Sequence, residues 1–365
     1  MEHPENDDLY KGLKVNKGVA DVPTVNPYLK KRIQRKEYTP AEFVEGILKG
    51  NITILSQAVT LVESSKYEHQ QVAQEIIEKC LPHAGKSVRI GITGVPGAGK
   101  STSIDAFGMH LIGEGRKLAV LAIDPSSERS KGSILGDKTR MEALSREKNA
   151  FIRPSPSAGS LGGVARKTRE TIVLCEAAGF DTVFVETVGV GQSETAVHSM
   201  VDFFLLIQLA GTGDELQGIK RGIMEMADGI IINKADGDNL EKAKLAAAQF
   251  RNALHLFPAP ESGWFPKVLT YSGYYNLGIK EIWDMVGEYM EFTKKNGYFN
   301  YKRNEQAKYW MYESINDTLR DKFYHNPAVE GMLEQTEKQV LNNEISSFVA
   351  AKRMIDLFLD QIATK

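Results

Sequence analysis

Between residue 88 and about residue 297, short apolar runs alternate with longer stretches in which apolar residues recur every three or four positions. The short runs predict buried strands, and the wider spacing predicts amphipathic helices. The predicted strands are residues 88–93, 118–123, 182–185, 203–209, 230–232 and 268–271. Strands that alternate with helices indicate a doubly wound, mostly parallel α/β sheet. In such a sheet, ligands bind at the carboxyl ends of the strands.

The pattern changes on both sides of this α/β region. Residues 1–37 are polar, and residues 38–85 predict helices, the first of them opened by Thr39 as N-cap and by Pro40. After the α/β region the strand pattern stops, and residues 306–324, 330–341 and 346–362 have helical spacing. We therefore divide the chain into a polar segment 1–37, a helical lead-in 38–85, the α/β domain 86–298 and a helical extension 299–365. The extension packs either on a neighbouring subunit or on its own domain.

The first predicted strand runs directly into a glycine-rich loop of the form Gly-x4-Gly-Lys-Ser. Its glycines let successive backbone N–H groups point into one concavity that holds phosphate oxygens, and the next helix N-terminus adds positive charge. Lys100 is expected to reach the β and γ phosphates, and Ser101 to coordinate Mg²⁺. The strand–loop–helix context favours a nucleotide-binding P-loop over a plain glycine-rich turn. The predicted phosphate contacts are Gly94, Val95, Pro96, Gly97, Ala98, Gly99, Lys100, Ser101 and Thr102.

A second motif, Asn-Lys-Ala-Asp, follows the strand at 230–232 and has the form of a guanine-reading loop. The Asp236 carboxylate can accept two hydrogen bonds from guanine N1–H and its exocyclic amine, a donor pair that adenine lacks. The stem of Lys234 can lie along the face of the base, and Asn233 is expected to tie this loop to the phosphate loop. Together the two motifs predict a GTPase. The predicted base contacts are Asn233, Lys234, Asp236, Ser272, Gly273 and Tyr274.

Three acidic residues are candidates for the magnesium side of the site. Glu186 and Asp124 each follow a predicted strand, and Asp137 lies in a polar loop, where an N-cap or a solvated acid is an equally good interpretation. Mg²⁺ prefers a few hard oxygen ligands completed by water and phosphate, so one or two of these acids suffice beside Ser101. Glu186 can orient a metal-bound or attacking water, and Gly189 can present its N–H to the γ-phosphate. The predicted catalytic set is Lys100, Glu186, Asp124 and Asp137.

Composition and charge narrow the range of partners. The formal net charge is -2, whereas nucleic-acid binders normally carry a basic excess. No apolar run is long enough to cross a bilayer, and the acidic start has the character of neither a signal nor a transit peptide. Cys80 and Cys175 lie in apolar helical surroundings, and we expect two buried thiols in a reducing compartment. These features predict a cytoplasmic protein without nucleic-acid or membrane partners.

Several longer strings are more specific than the two motifs. In chain order they are GVPGAGKST (94–102), IDPSS (123–127), GSILGDKTRM (132–141), RPSP (153–156), GSLGG (159–163), ETVGVGQS (186–193) and GDELQGIK (213–220). Over about residues 40–300, the chain resembles the MeaB/MMAA (ArgK-type) GTPases. These are the G-protein chaperones of adenosylcobalamin-dependent methylmalonyl-CoA mutase.

The resemblance implies a function beyond GTP binding. It implies a cytoplasmic homodimer that binds the mutase, gates adenosylcobalamin delivery by GTP binding and hydrolysis, and protects the mutase from oxidative inactivation. It assigns metal-site roles to Asp124, Asp137 and Glu186, and dimerisation to the helical extension 299–365. It also implies a further switch that responds to the mutase, made of Asp214, Gln217 and Lys220.

Two positions depart from common GTPase patterns. Tyr271-Ser272-Gly273-Tyr274 stands where many GTPases have Ser-Ala, which keeps the backbone contact to the base and changes the packing around it. No glutamine follows Gly189 directly, where Ras-like enzymes place the residue that positions water. We therefore expect slow intrinsic GTP hydrolysis that a partner stimulates.

Other functions remain open at this level. The client could be a sister acyl-CoA mutase such as isobutyryl-CoA mutase. A nickel- or cobalt-delivery GTPase would need clustered thiols or histidines, and here the seven histidines are scattered. A kinase of amino-acid transport components would transfer the γ-phosphate to a substrate instead of water. A non-hydrolysing scaffold would have no need of Lys100, Ser101 and Glu186 together.

Overall fold

Seven parallel strands form the central sheet in a computed structural model that describes residues 38–123, 140–154, 161–187, 193–210 and 221–363. The strand order is β3-β2-β4-β1-β5-β6-β7, and every neighbouring pair is parallel. The strands are β1 (Val88–Gly94), β2 (Leu118–Ile123), β3 (Ala150–Arg153), β4 (Thr182–Thr187), β5 (Phe203–Leu209), β6 (Gly229–Asn233) and β7 (Lys267–Thr270).

Helices precede, connect and follow these strands. The lead-in consists of α1 (Pro40–Leu48), α2 (Ile52–Glu63) and α3 (Tyr67–Cys80). The helices of the sheet region are α4 (Lys100–Gly113), α5 (Leu161–Ala177), α6 (Ser193–His198), α7 (Arg221–Met226), α8 (Leu240–Leu254) and α9 (Ile279–Lys295). The C-terminal helices are α10 (Tyr298–Tyr324), α11 (Pro327–Leu341) and α12 (Ser347–Ala363). None of these described helices is both long and apolar enough to span a bilayer.

The main core lies between the sheet and two helices on one face. Ile92 of β1 and Phe184 of β4 pack with Phe107 of α4 and with Ile282 and Val286 of α9. A second core lies on the other face of the sheet, where β6 packs against α8. Because helices cover the sheet over both cores, the strands read as continuous apolar runs, which explains why they were visible in the sequence.

Register places the ends of the central strands side by side. Ile92 pairs with Glu186 of β4, and Gly94 pairs with Ile207 of β5. Leu209, at the end of β5, pairs with Asn233 at the end of β6. Since all strands run the same way, these carboxyl ends meet at one edge of the sheet, where α/β folds bind ligands.

The helical lead-in packs against the sheet domain through α5. Asn51 caps α2, because its side-chain oxygen accepts hydrogen bonds from the N–H groups of Thr53 and Ile54. At the other end of α2, Glu63 forms an ion pair with Arg153 of β3, and its carbonyl accepts a hydrogen bond from Lys167 of α5 at 2.7 Å. These contacts join the lead-in to the carboxyl end of β3.

The predicted doubly wound sheet is confirmed, with differences at particular elements. The four-residue strand β3 was not predicted, because Ala150–Arg153 is too short to display an alternating or continuous apolar pattern. Glu186 lies inside β4 and not after it, because the strand continues to Thr187. Helix α10 begins at Tyr298 and not at 306. The prediction missed its first turns because their buried residue is Lys302 and not an apolar residue. Cys80 and Cys175 are both buried free thiols, as expected.

Candidate functional site

The glycine-rich loop joins the end of β1 to the first residue of α4. A side chain at Gly94 would place its Cβ 2.2 Å from the Ile207 carbonyl oxygen of β5, so only glycine lets the two strands pair here. Gly97 and Gly99 have φ of +80° and +85°, a region that glycine adopts without strain. Ala98 between them is buried, whereas Pro96 and Thr102 are exposed. The loop therefore curls between two fixed ends, with its backbone available to a ligand.

Lys100 folds back over this loop. Its ammonium donates hydrogen bonds to the carbonyl oxygens of Gly94 at 2.9 Å and of Val95 at 3.4 Å. Burial lowers the pKa of Lys100, and the charges of Glu186 and Glu194 oppose that effect. The cation is thus held at the mouth of the loop, where phosphate oxygens would replace weak backbone acceptors with charged ones.

Ser101 and Glu186 meet beside the loop. The Ser101 hydroxyl donates to a carboxylate oxygen of Glu186 at 3.2 Å, and Glu186 is only 8% exposed. A hydroxyl and a carboxylate are hard oxygen donors of the kind that Mg²⁺ prefers, and this metal takes its remaining ligands from water and phosphate. The pair therefore fits a magnesium ion. No group of three histidine, cysteine or acidic side chains is arranged to hold a metal within the described part of the chain.

Asn233 connects the second motif to the phosphate loop, as the sequence predicted. Its side-chain nitrogen donates to the Ala98 carbonyl at 2.7 Å, and its oxygen accepts from the N–H groups of Lys234 at 2.7 Å and Gly273 at 3.2 Å. Asn233 is 4% exposed, so these bonds form away from water. One side chain therefore joins three loops: the phosphate loop, the Asn-Lys-Ala-Asp loop and the loop after β7.

The predicted base contacts Asp236 and Lys234 are held by their own loops. Asp236 accepts a hydrogen bond from the Ser272 hydroxyl, which also accepts from the N–H of Tyr275 at 3.4 Å. Lys234 has a φ of +59°, and its carbonyl accepts from the Asn239 side chain at 2.7 Å. The sequence predicted only a backbone contact for Ser272, whereas its hydroxyl orients the Asp236 carboxylate.

Tyr274 lies at the exposed end of this loop. It is 82% exposed, and its ring lies 4.9 Å from that of Tyr275 in an edge-to-face pair. Ser272 and Leu277 exchange two backbone hydrogen bonds beneath the two rings. The neighbouring Gly273 is required by packing, because a Cβ there would lie 2.8 Å from the hydroxyl of Tyr271.

Six predicted site residues lie outside the described residues. They are the candidate metal ligands Asp124 and Asp137, the γ-phosphate contact Gly189, and the proposed switch residues Asp214, Gln217 and Lys220. Their roles remain predictions. The structure brings together all the other predicted groups at the carboxyl ends of β1, β4, β6 and β7.

Sequence reasoning missed buried polar groups close to the loop. Glu194 lies in the first turn of α6, eight residues after Glu186, and is 2% exposed. Thr187 donates a hydrogen bond to Thr93 at 2.8 Å, and both side chains are buried. Gln208 of β5 is 1% exposed. An acid that follows a strand-end acid at short spacing is the available signal for Glu194, and the sequence does not show that it is buried.

Comparison with known proteins agrees with this geometry. The family model described as methylmalonyl Co-A mutase-associated GTPase MeaB matches residues 55–328, three quarters of the chain. The chain belongs to the MeaB family of GTPases. It is therefore a P-loop enzyme that binds guanine nucleotide and hydrolyses GTP.

Individual relatives cover nearly the whole of this MeaB-family chain. It is 44% identical to the GTPase ArgK of Escherichia coli over 325 residues, which are 89% of this chain and 98% of that protein. It is 44% identical to the mitochondrial methylmalonic aciduria type A homolog of Mus musculus, over 86% of this chain and 78% of that one. A crystal structure of an LAO/AO transport system kinase shares 38% identity at a TM-score of 0.70 and covers 89% of this chain and 99% of that one.

Proposed function

We propose that this GTPase is a chaperone of adenosylcobalamin-dependent methylmalonyl-CoA mutase. It would gate the loading of adenosylcobalamin by GTP binding and hydrolysis and would protect the mutase from inactivation. The family description and the name of the Mus musculus relative support a link to methylmalonyl-CoA metabolism. The observation that carries the nucleotide part is the junction at Asn233, which fixes the base-reading loop to the phosphate loop. We also propose that the protein acts in the cytoplasm.

The proposed chemistry divides among the residues at the sheet edge. Lys100 would bind the β and γ phosphates, and Ser101 would hold Mg²⁺ with the help of Glu186, directly or through water. Magnesium would neutralise charge on the phosphates. Glu186, on the rigid strand β4, would orient water, and Asp236 would select guanine. The proposed roles of Asp124 and Asp137 at the metal and of Gly189 at the γ-phosphate complete this set.

The C-terminal helices are proposed to form the homodimer. An apolar groove of about 860 Å³ lies between α10, α11 and α12. Leu319, Ile355 and Leu359, which line it, are each at least half exposed in the single chain. A second copy would bury this surface. Sedimentation of the wild type and of Ile355→Asp tests this: a dimer that the variant abolishes supports the proposal, and a monomeric wild type contradicts it.

The first experiment measures GTP hydrolysis with and without purified adenosylcobalamin-dependent methylmalonyl-CoA mutase at matched Mg²⁺. The proposal expects slow basal hydrolysis that rises when the mutase is added. Lys100→Ala should weaken GTP binding strongly, and Glu186→Gln should preserve binding while removing hydrolysis. Unchanged hydrolysis in both variants would contradict the site assignment. Intact basal turnover with no response to the mutase would contradict the partner assignment.

Two alternatives are distinguished by the same preparation. Stimulation by isobutyryl-CoA mutase and not by methylmalonyl-CoA mutase would identify a sister enzyme as the client. The printed name of the related crystal structure is that of a transport system kinase, which keeps phosphoryl transfer to a protein as a second candidate. With γ-labelled GTP, label on a protein would favour a kinase, and label released as inorganic phosphate favours the GTPase chaperone.

A further inference from the structure

One face of α10 carries three buried side chains that donate hydrogen bonds. Lys302, Gln306 and Trp310 follow each other at intervals of four residues and are 9%, 6% and 6% exposed. Residues four apart lie on the same face of a helix, so the three form a single row. Most of α10 carries charged and exposed residues, and this row is where the helix meets the sheet domain.

The row donates hydrogen bonds to the turn that joins α6 to β5. Lys302 donates to the Asp202 carbonyl at 2.8 Å, Gln306 to the Val201 carbonyl at 2.8 Å, and Trp310 to the Ser199 carbonyl at 3.0 Å. Gln306 also donates to the carbonyl of His198, the last residue of α6, at 3.4 Å. The last carbonyls of a helix lack partners inside that helix, and here a helix about a hundred residues further along the chain binds the last one and the turn that follows it.

The base of α10 is fixed by a second set of contacts. Arg303 forms a two-pronged ion pair with the Asp202 carboxylate, with nitrogen–oxygen distances of 2.8 and 2.7 Å. The same guanidinium donates to the carbonyl oxygen of Ser87 at 2.8 Å, just before β1. Asp202 also accepts from the backbone N–H of Arg89 at 2.9 Å. The row therefore projects from a helix that is anchored to the start of β1 and β5.

The body of α6 packs on β1, the strand that runs into the phosphate loop. Val197 of α6 packs closely on Gly91 of β1, since a Cβ on that glycine would lie 2.8 Å from a Val197 methyl group. Glu194 precedes Val197 by three residues and therefore shares its face, one turn nearer the carboxyl end of the sheet. It is 2% exposed in the first turn of α6. The helix is thus a short link between the α10 row and the phosphate site.

We propose that Gln306 and Trp310 are positioning residues for GTP hydrolysis, because they hold α6 and thereby keep the buried Glu194 against β1, the strand that leads into the phosphate loop. The inference rests on the phosphate site assigned above. It also gives the C-terminal helices a physical connection to the nucleotide, since α10 continues from this row into α11 and α12. A molecule bound to those helices could then change the hydrolysis rate without touching the nucleotide.

The first test compares single-turnover GTP hydrolysis in variants of the full chain. Trp310→Phe keeps a ring and removes the indole donor, and Gln306→Met keeps the length and removes the amide. Each should slow hydrolysis about fivefold, the rate equivalent of one net hydrogen bond, with GDP affinity within twofold of wild type. Tyr312→Phe, on the exposed face of α10, is the control and should hydrolyse GTP at the wild-type rate.

Thermal melts and active-site titration with GDP distinguish a smaller folded fraction from a slower rate of hydrolysis. A rate that is unchanged in Trp310→Phe and Gln306→Met, or that falls only with the folded fraction, would overturn the proposal. Failure of the site assignment has a different signature, because Lys100→Ala and Glu186→Gln would then hydrolyse GTP normally. If those two variants are inactive while the α10 variants are normal, only the positioning role is lost.

Coupling through Glu194 has its own test. If Trp310 acts by way of Glu194, the double variant Trp310→Phe/Glu194→Gln should be no slower than the slower single variant. If the double variant is slowed by the product of the two single-variant factors, the two residues act independently and the proposed route is overturned. The protein has three tryptophans, so ¹⁹F spectra of 5-fluorotryptophan protein can be assigned with Trp310→Phe. The Trp310 resonance should shift between GDP and a non-hydrolysable GTP analogue, and an unmoved resonance contradicts the link.

Discussion

Replacing Asn233 by alanine should weaken both folding and nucleotide binding, because this side chain joins three loops. The substitution removes hydrogen bonds to the Ala98 carbonyl and to the N–H groups of Lys234 and Gly273. The same side chain packs against Gly99, where a Cβ would lie 2.6 Å from the Asn233 nitrogen. Alanine therefore leaves a gap between the phosphate loop and the base-reading loop.

The magnitude follows from two buried hydrogen bonds and one part-buried hydrogen bond. A net contribution of about 1 kcal/mol for each gives a loss of about 3 kcal/mol in the free energy of unfolding. Loosening the two loops should also weaken GDP binding at least about tenfold, which corresponds to about 1.4 kcal/mol. Asn233→Asp keeps the acceptor oxygen, and it replaces the donor to Ala98 by a charged acceptor that repels both the Ala98 carbonyl and bound phosphate.

The assay pairs urea denaturation of the nucleotide-free protein with titration of a fluorescent GDP analogue. Asn233→Ala should lower both the unfolding free energy and the affinity, and Asn233→Asp should retain more of the stability than of the affinity. Wild-type values for both quantities in Asn233→Ala would refute the reasoning. A loss of stability without any loss of affinity would show that the junction serves folding alone.

Three further predictions concern other contacts. Gly94→Ala should abolish nucleotide binding because its Cβ meets the Ile207 carbonyl, whereas Gly97→Ala, with open space around it, should cost about 1 kcal/mol of backbone strain in urea denaturation. Arg89→Met should cost about 3 to 5 kcal/mol by stranding the buried Glu176 carboxylate, and adding Glu176→Gln should recover part of it. Burial and the charge of Lys302 lower the pKa of His198 to about 3. As the pH falls, the His198 imidazole of the unfolded chain is protonated before that of the folded chain. The free energy of unfolding should therefore fall by about 2 kcal/mol from pH 7 to 5, and His198→Phe should reduce this dependence on pH.

Glu176 shows the same linkage with the usual sign for a carboxylate. Burial alone would raise its pKa, but the hydrogen bonds and charge of Arg89, together with the hydrogen bonds from Ser87 and the Gly85 N–H, outweigh burial and lower it. Its contribution to stability is therefore present above the unfolded pKa and is lost as the pH falls through the lower folded value. Denaturation curves below pH 5 should show this loss in the wild type and a smaller one in Glu176→Gln.

The sheet could be predicted because six of its strands carry apolar runs, and five of these are buried along nearly their whole length. Strand β3 was not predicted, because four residues ending in Arg153 give no periodic signal. The first turns of α10 were not predicted for a related reason. Their buried residue is Lys302, which reads as a solvated position in a sequence.

The two nucleotide motifs were readable because each is contiguous. A loop between a strand and a helix is shaped by its own glycines, so the sequence alone determines the curl at Gly97 and Gly99. The same holds for the Asn-Lys-Ala-Asp loop at the end of β6. These two local patterns determined the nucleotide, the alternation of strands and helices determined the fold class, and the longer strings between residues 94 and 220 determined the family.

Only the tertiary structure decided which distant groups meet. The order of the strands places Glu186 of β4 against Ser101 and brings Asn233 of β6 to Ala98. It also buries Glu194 and seats α10 on the end of α6, in contacts between residues about a hundred positions apart. Sequence spacing cannot reveal such contacts, because they depend on how strands and helices pack and not on any local preference of the chain.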